Sequence, residues 1–220
     1  MKSIIFDLDG TLLDSMCLWD GLAQRILLEY GVEDPGDAPD YVKAMTVPQA
    51  AEYLIRRFSL PVSPEQVTER VEAMAARAYT EELPLKPGAE AFVREAVRRG
   101  IPCAVASVTY PKLLHAALNR LGIADCFSAI VTPENGMPGK HEPDLYHNTA
   151  ALLHTAPAQT LVFEDALYSA KTAKAAGFPV IGILDPAGKP EWDGLKAVCD
   201  RTAECWQELL DEDLFQIFAE

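Results

Sequence analysis

Positive charge is scarce in this sequence and nowhere gathers into a block. The 220 residues carry 19 lysines and arginines against 33 aspartates and glutamates, a formal net charge of −14. That balance argues against nucleic acid or an anionic membrane surface as a partner. A small anionic substrate remains open, because a few local cations can override the global sign at one site. Cysteines are few: Cys17, Cys103, Cys126, Cys199 and Cys205 are odd in number and widely spaced, with no CxxC pair. This excludes a disulfide framework or a zinc knuckle and suits a reducing compartment. No stretch approaches the roughly 18 apolar residues of a membrane span, and "KSIIF" at 2–6 is too short for a secretory h-region, so a cytoplasmic protein is expected. The sequence has no HExxH, GxGxxG or Walker-type loop, which leaves a zinc protease or a nucleotide cofactor without support. His115, His147 and His154 have no ligand spacing, and Trp19, Trp192 and Trp206 read as packing anchors.

What is present is core-forming material, with 49% of residues hydrophobic. Short β-branched runs recur at 3–8, 103–108, 128–132, 160–165 and 179–184. Runs of that length without clean alternation read as strands buried on both faces. Amphipathic segments lie between them at 88–100, 111–122, 142–154 and 166–177, some of them ending in glycine, the usual helix stop. The order predicts a doubly wound parallel α/β sheet. One interval breaks the rhythm. Residues 15–82 show only helical patterns, with Leu18, Leu22 and Ile26 on one face and "SPEQ" at 63–66 as a capping box behind Ser63. The expected organisation is therefore a core of residues 1–14 and 83–220 and an all-helical cap domain, 15–82, inserted after the first strand as a lid.

In "FDLDGTLLDS" at 6–15, Asp7 and Asp9 end the first strand; Ser107 ends the second, and Glu164 and Asp165 end the fourth. Open α/β sheets gather such ends in one crevice, and Lys140 of "GMPGKHEPD" follows the third strand into the same region. Several carboxylates packed together call for a cation, and an all-oxygen set suits Mg²⁺. Asp7, Asp165 and a backbone carbonyl at Asp9 are the candidate metal ligands. A lysine and a hydroxyl facing that metal suggest a phosphoryl group. Asp7 is then placed to attack phosphorus, and Asp9 to protonate the leaving oxygen and later deprotonate water.

In these motifs the chain resembles the haloacid dehalogenase superfamily, in its helical-cap branch, whose members include β-phosphoglucomutases and phosphoglycolate phosphatases. The resemblance implies Asp7 as nucleophile, Asp9 as acid and base, and Ser107 and Lys140 as phosphate-binding groups. It also implies Asp165 as a Mg²⁺ ligand, with Glu164 in or beside the metal shell. Val108, Ser169 and His141-Glu142 depart from residues common in the family, which bears on substrate more than on chemistry. The implied function is Mg²⁺-dependent hydrolysis of a small phosphorylated metabolite; the oligomeric state is left open. The alternatives are a phosphosugar mutase, although the first cap helix reads "MCLWDG" where such relatives often carry a histidine, and a non-catalytic binding module of the same fold. Asp9 argues against dehalogenation and phosphonate cleavage, the latter also requiring a cap lysine, for which Lys43 is the sole candidate. In the cap, Lys43 and Thr46 are the expected selectors of the leaving group.

Overall fold

This computed structural model describes residues 2–42, 47–133, 139–212 and 214–217. The chain forms two compact units, one of residues 1–14 with 83–220 and one of residues 15–82.

The larger unit begins with strand β1 (Ser3–Phe6), whose four residues are all buried. The second unit follows, and its secondary-structure elements among the described residues are all helical: α1 (Met16–Glu29), α2 (Ala38–Val42), α3 (Val47–Phe58) and α4 (Pro64–Arg77), the last running into a π-helical turn at Ala78–Glu82. Leu18, Leu22 and Ile26 form the buried stripe of α1. Leu22 and Ile26 pack on Ala51 of α3 and on Val67 and Val71 of α4. The Ser63 side chain accepts the Gln66 N–H, and the Gln66 side chain accepts the Ser63 N–H, so the capping box forms as the sequence suggests. An apolar cavity of about 270 Å³ opens between these helices, lined by Trp19, Ile26, Leu54 and Val71 among others. Among the described residues its lining is apolar.

The chain then returns to the larger unit through α5 (Ala89–Arg98), β2 (Cys103–Ala106), α6 (Pro111–Arg120) and β3 (Ala129–Val131). It continues through α7 (Asp144–Leu152), β4 (Thr160–Glu164), α8 (Leu167–Ala175), β5 (Val180–Ile183) and α9 (Trp192–Val198). It closes with β6 (Arg201–Ala203), α10 (Trp206–Asp211) and α11 (Leu214–Ile217). Gly100, just past α5, takes φ +73°, the left-handed geometry in which glycine ends a helix without a Cβ clash. The strands form one parallel sheet in the order β3-β2-β1-β4-β5-β6. The sequence reading finds five of these six strands. The sixth, Arg201–Ala203, is a three-residue edge strand without an apolar run, and its strand character comes from pairing with β5.

Alternation sorts the core by face. Ile5, Ala104, Ala106 and Val162 cluster with Leu145 and Tyr146 of α7 and Ala170 of α8. Phe6 stacks on Phe163 at 5.2 Å, and both meet Phe92 of α5 and Trp206 of α10. The chain winds from β1 out to β3, then crosses back to add β4 on the other side of β1. The switch of direction therefore falls between β1 and β4, where open sheets of this kind bind ligands.

Candidate active site

Asp7 and Glu164 continue directly from the stacked pair Phe6 and Phe163, so aromatic packing sets the level at which the carboxylates emerge. The Asp7 N–H donates to the Phe163 carbonyl at 3.0 Å, extending the ladder one residue beyond β1. Past Asp7 the chain curls on itself: the N–H groups of Leu12 and Leu13 both donate to the Leu8 carbonyl, and that of Gly10 to the Leu13 carbonyl. Gly10 lies at φ +79°, where a side chain would strain the turn. The departing and returning segments pair, with Asp14 N–H on Pro84 O and Lys86 N–H on Leu12 O.

Four charged groups meet at the head of β1 and β4. The Lys140 ammonium donates to Asp7 Oδ1 and, at 2.6 Å, to Glu164 Oε1. The Tyr146 hydroxyl donates to the same Glu164 oxygen at 2.6 Å. Thr11 Oγ1 lies 3.2 Å from Asp7 Oδ2 and 3.3 Å from Asp165 Oδ1; with one proton, it donates to one of them at a time. Asp7, Glu164 and Asp165 each offer an oxygen within 4.8 Å of the others, and all three residues are buried. Behind them, the Trp206 indole N–H donates to the Thr11 carbonyl at 3.1 Å and fixes the loop from below.

The electrostatics are those of a site with too much negative charge for its one lysine. Burial pushes the Glu164 carboxyl up to about 7 against the pull of Lys140, with Asp7 adding repulsion. Burial, then the charges of Asp7 and Glu164, push Asp165 well above the usual carboxylate range. Burial favours neutral Lys140, yet Asp7 and Glu164 beside it outweigh that and hold the ammonium above its ordinary value. The Tyr146 phenol is pushed up by burial and by Glu164, so it stays a donor. Glu164 Oε2 is buried with no hydrogen-bond partner among the described residues. An orphaned buried carboxylate oxygen, hard oxygen donors on three side chains and raised proton affinities are what a small divalent cation relieves, so the residues present fit Mg²⁺.

Of the residues singled out in the sequence, Asp7, Lys140, Glu164 and Asp165 are brought together. The Asp9 carboxylate lies outside the group of three and is half-buried; its Oδ2 accepts the Thr109 hydroxyl. Ser107 is buried at the end of β2, its N–H on Val131 O and its Oγ accepting the Thr109 N–H at 3.1 Å. Val108 between them is exposed. Lys43 and Thr46 lie outside the described residues. Sequence reasoning missed Thr11, Thr109 and Tyr146, and saw Trp206 only as packing. For Tyr146 the available signal was a phenol in a helix's apolar stripe, since a buried tyrosine hydroxyl needs a partner.

Known proteins resemble this chain in sequence and in fold. Hexitol phosphatase A of Escherichia coli is 32% identical over 86% of this chain and 86% of that protein. The bifunctional riboflavin kinase/FMN phosphatase of Arabidopsis thaliana is 27% identical over 82% of this chain, which spans 48% of that protein's length. Among solved structures, CbbY from Rhodobacter sphaeroides in complex with phosphate superposes with a TM-score of 0.75 at 24% identity, covering 95% of this chain and 96% of that one, a likeness of fold. A family model described as haloacid dehalogenase-like hydrolase matches residues 1–177. Because that span takes in both carboxylate-bearing strands and the whole helical excursion between them, the chain belongs to the haloacid dehalogenase-like hydrolases.

Proposed function

We propose that this hydrolase is a Mg²⁺-dependent phosphatase of small phosphorylated metabolites, working through a phosphorylated Asp7. The observation that supports the reading best is Lys140, buried between Asp7 and Glu164 beside Asp165. A buried ammonium bonded to a carboxylate at a strand end holds that carboxylate still and draws a second anion to the same point.

Asp7, Asp165 and the backbone at Asp9 are the Mg²⁺ ligands in this reading, with Glu164 in or beside the shell. When bound, the ion offsets charge on the phosphoryl oxygens. Lys140 and the Ser107 hydroxyl orient those oxygens; Ser107 Oγ already accepts from Thr109 N–H, which directs its own proton outward to donate. An Asp7 oxygen forms the bond to phosphorus as the ester P–O bond breaks, and the Asp9 proton passes to the departing oxygen. Asp9, now a carboxylate, takes a proton from water as that water attacks phosphorus. The bond to Asp7 breaks, and inorganic phosphate leaves with both aspartates restored.

The helical unit of residues 15–82 carries the choice of substrate, with Lys43 and Thr46 as its candidate polar contacts. The partner is a small phosphorylated metabolite, and the acidic surface disfavours nucleic acid and membranes. Among the described residues no helix is long and apolar enough to cross a membrane. Hexitol and sugar phosphates come first as substrates, because hexitol phosphatase A is among the relatives.

The test is a panel of sugar, hexitol and aryl phosphates with Mg²⁺ or with EDTA, using Asp7→Asn as control. Release of inorganic phosphate that requires both Mg²⁺ and Asp7 is expected. Conversion of a sugar phosphate to its isomer without phosphate release would assign the mutase reading instead, and no turnover of any compound would favour a binding module.

A further inference from the structure

Thr109 and Asp9 stand 100 residues apart in sequence, yet the Thr109 hydroxyl donates to Asp9 Oδ2. Nothing in the motifs at either position calls for the pair. The threonine is itself held: its N–H donates to Ser107 Oγ at 3.1 Å, a turn closed by a serine side chain two residues back. The Ser107 N–H in turn donates to Val131 O at the end of β3. A continuous run of hydrogen bonds thus leads from the sheet through Ser107 and Thr109 to the Asp9 carboxylate. Asp9 sits on a loop beyond β1 and is half-buried, and the Thr109 hydroxyl reaches its carboxylate from the segment that follows β2.

From this geometry we infer that Thr109 is a positioning residue for the acid/base step, fixing the plane of the Asp9 carboxyl group towards the departing oxygen. The inference rests on the reading of Asp9 as the acid and base. A hydroxyl suits the task better than a cation. Thr109 can donate to Asp9 Oδ2 whether the group is a carboxylate or a neutral acid carrying its proton on the other oxygen, so it holds both forms the cycle requires. A lysine or arginine at the same place would favour the carboxylate alone and weaken it as an acid.

The experiment compares wild type, Thr109→Val and Thr109→Ser, with Asp9→Asn as reference, on p-nitrophenyl phosphate and phenyl phosphate in Mg²⁺. The quantity is the ratio of kcat/KM for the two esters. It reports on formation of the phosphorylated enzyme and is independent of how much of a variant is folded. Phenolate is the poorer leaving group and needs the acid more. Valine keeps the shape and removes the hydroxyl, so it should depress phenyl phosphate about 10-fold or more beyond its effect on p-nitrophenyl phosphate, part of the range general acids contribute. Serine should restore the wild-type ratio. Equal losses on both esters with valine, or no restoration by serine, overturns the inference. An Asp9→Asn ratio equal to wild type removes the acid role of Asp9 and the inference with it. A wild-type chain that hydrolyses neither ester instead contradicts the phosphatase reading, on which the inference depends.

Discussion

Tyr146 aims its one donor at Glu164 Oε1, the oxygen that also takes Lys140. Removing that hydroxyl leaves a buried carboxylate with half its support. Tyr146→Phe should therefore lose about 2 kcal/mol of stability, as expected for a buried hydrogen bond to a charged group. Urea denaturation in Mg²⁺ measures it, and a loss below about 0.5 kcal/mol would mean that the bond contributes nothing net. Glu164 also makes stability depend on pH. Its folded value of about 7 lies above its ordinary 4.5, so between the two the metal-free folded chain holds a proton that the unfolded chain releases. The stability this confers is complete below about 4.5 and is lost as pH rises through about 7. In EDTA, wild type should lose more stability than Glu164→Gln between about pH 5 and about pH 8; parallel curves would contradict the raised value. Asp7, Lys140, Glu164 and Asp165 were legible in the sequence because each sits at a strand end or in the loop beyond one, and topology brings such positions together. Thr109 and Tyr146 were not, because the partner of each is defined only by the packing of elements distant in sequence.

Beyond its backbone hydrogen bonds to the segment after β1, the segment returning from the helical unit is tied to the sheet by a buried ion pair. Lys86 Nζ lies 2.7 Å from Asp185 Oδ2 and donates to the Leu184 carbonyl at 2.9 Å, both at the end of β5. The charge of Asp185 is one of those that raise Asp165. Lys86→Met should cost about 3–5 kcal/mol, the range for stranding a buried carboxylate, and the paired change with Asp185→Leu should recover most of it. Chemical denaturation of the three variants is the measurement; a double variant no better than the single would place the loss in packing instead. At this scale the sequence was a good guide where a local signal exists. The Ser63 capping box, the Leu18, Leu22 and Ile26 stripe and the glycine after α5 are all set by neighbours within a few residues. It failed at β6, whose backbone is organised by its neighbour in the sheet, and at the π-helical turn Ala78–Glu82. There Thr80 Oγ1 bonds back to the Ala76 carbonyl at 2.8 Å, a pairing with no counterpart in apolar periodicity.

At the scale of the whole molecule, an acidic chain gathers the buried carboxylates of Asp7, Glu164 and Asp165 at one point. Mg²⁺ binding to the folded chain alone should stabilise it by about 2.7 kcal/mol at a hundredfold excess over Kd. Burial and the charges of Asp7 and Glu164 disfavour the Asp165 carboxylate in the metal-free protein, so Asp165→Asn should not lower the melting temperature in EDTA and should abolish most of the rise with Mg²⁺. A full magnesium shift in that variant would put the ion elsewhere. The proposed phosphatase reaction turns on a covalent step in which the phosphoryl group passes to Asp7. The direct measurement is acid quenching of Asp9→Asn during reaction with p-nitrophenyl phosphate, borohydride reduction of any acyl phosphate, and mass spectrometry of the peptide spanning Asp7. Asp9→Asn is the useful background, because an activated ester needs little acid to form the intermediate, while loss of the base slows its breakdown. Conversion of residue 7 to homoserine, absent when Asp7→Asn is added, is the expected result. Phosphate release by the wild type with residue 7 unmodified and the label on another side chain, or on none, would contradict it.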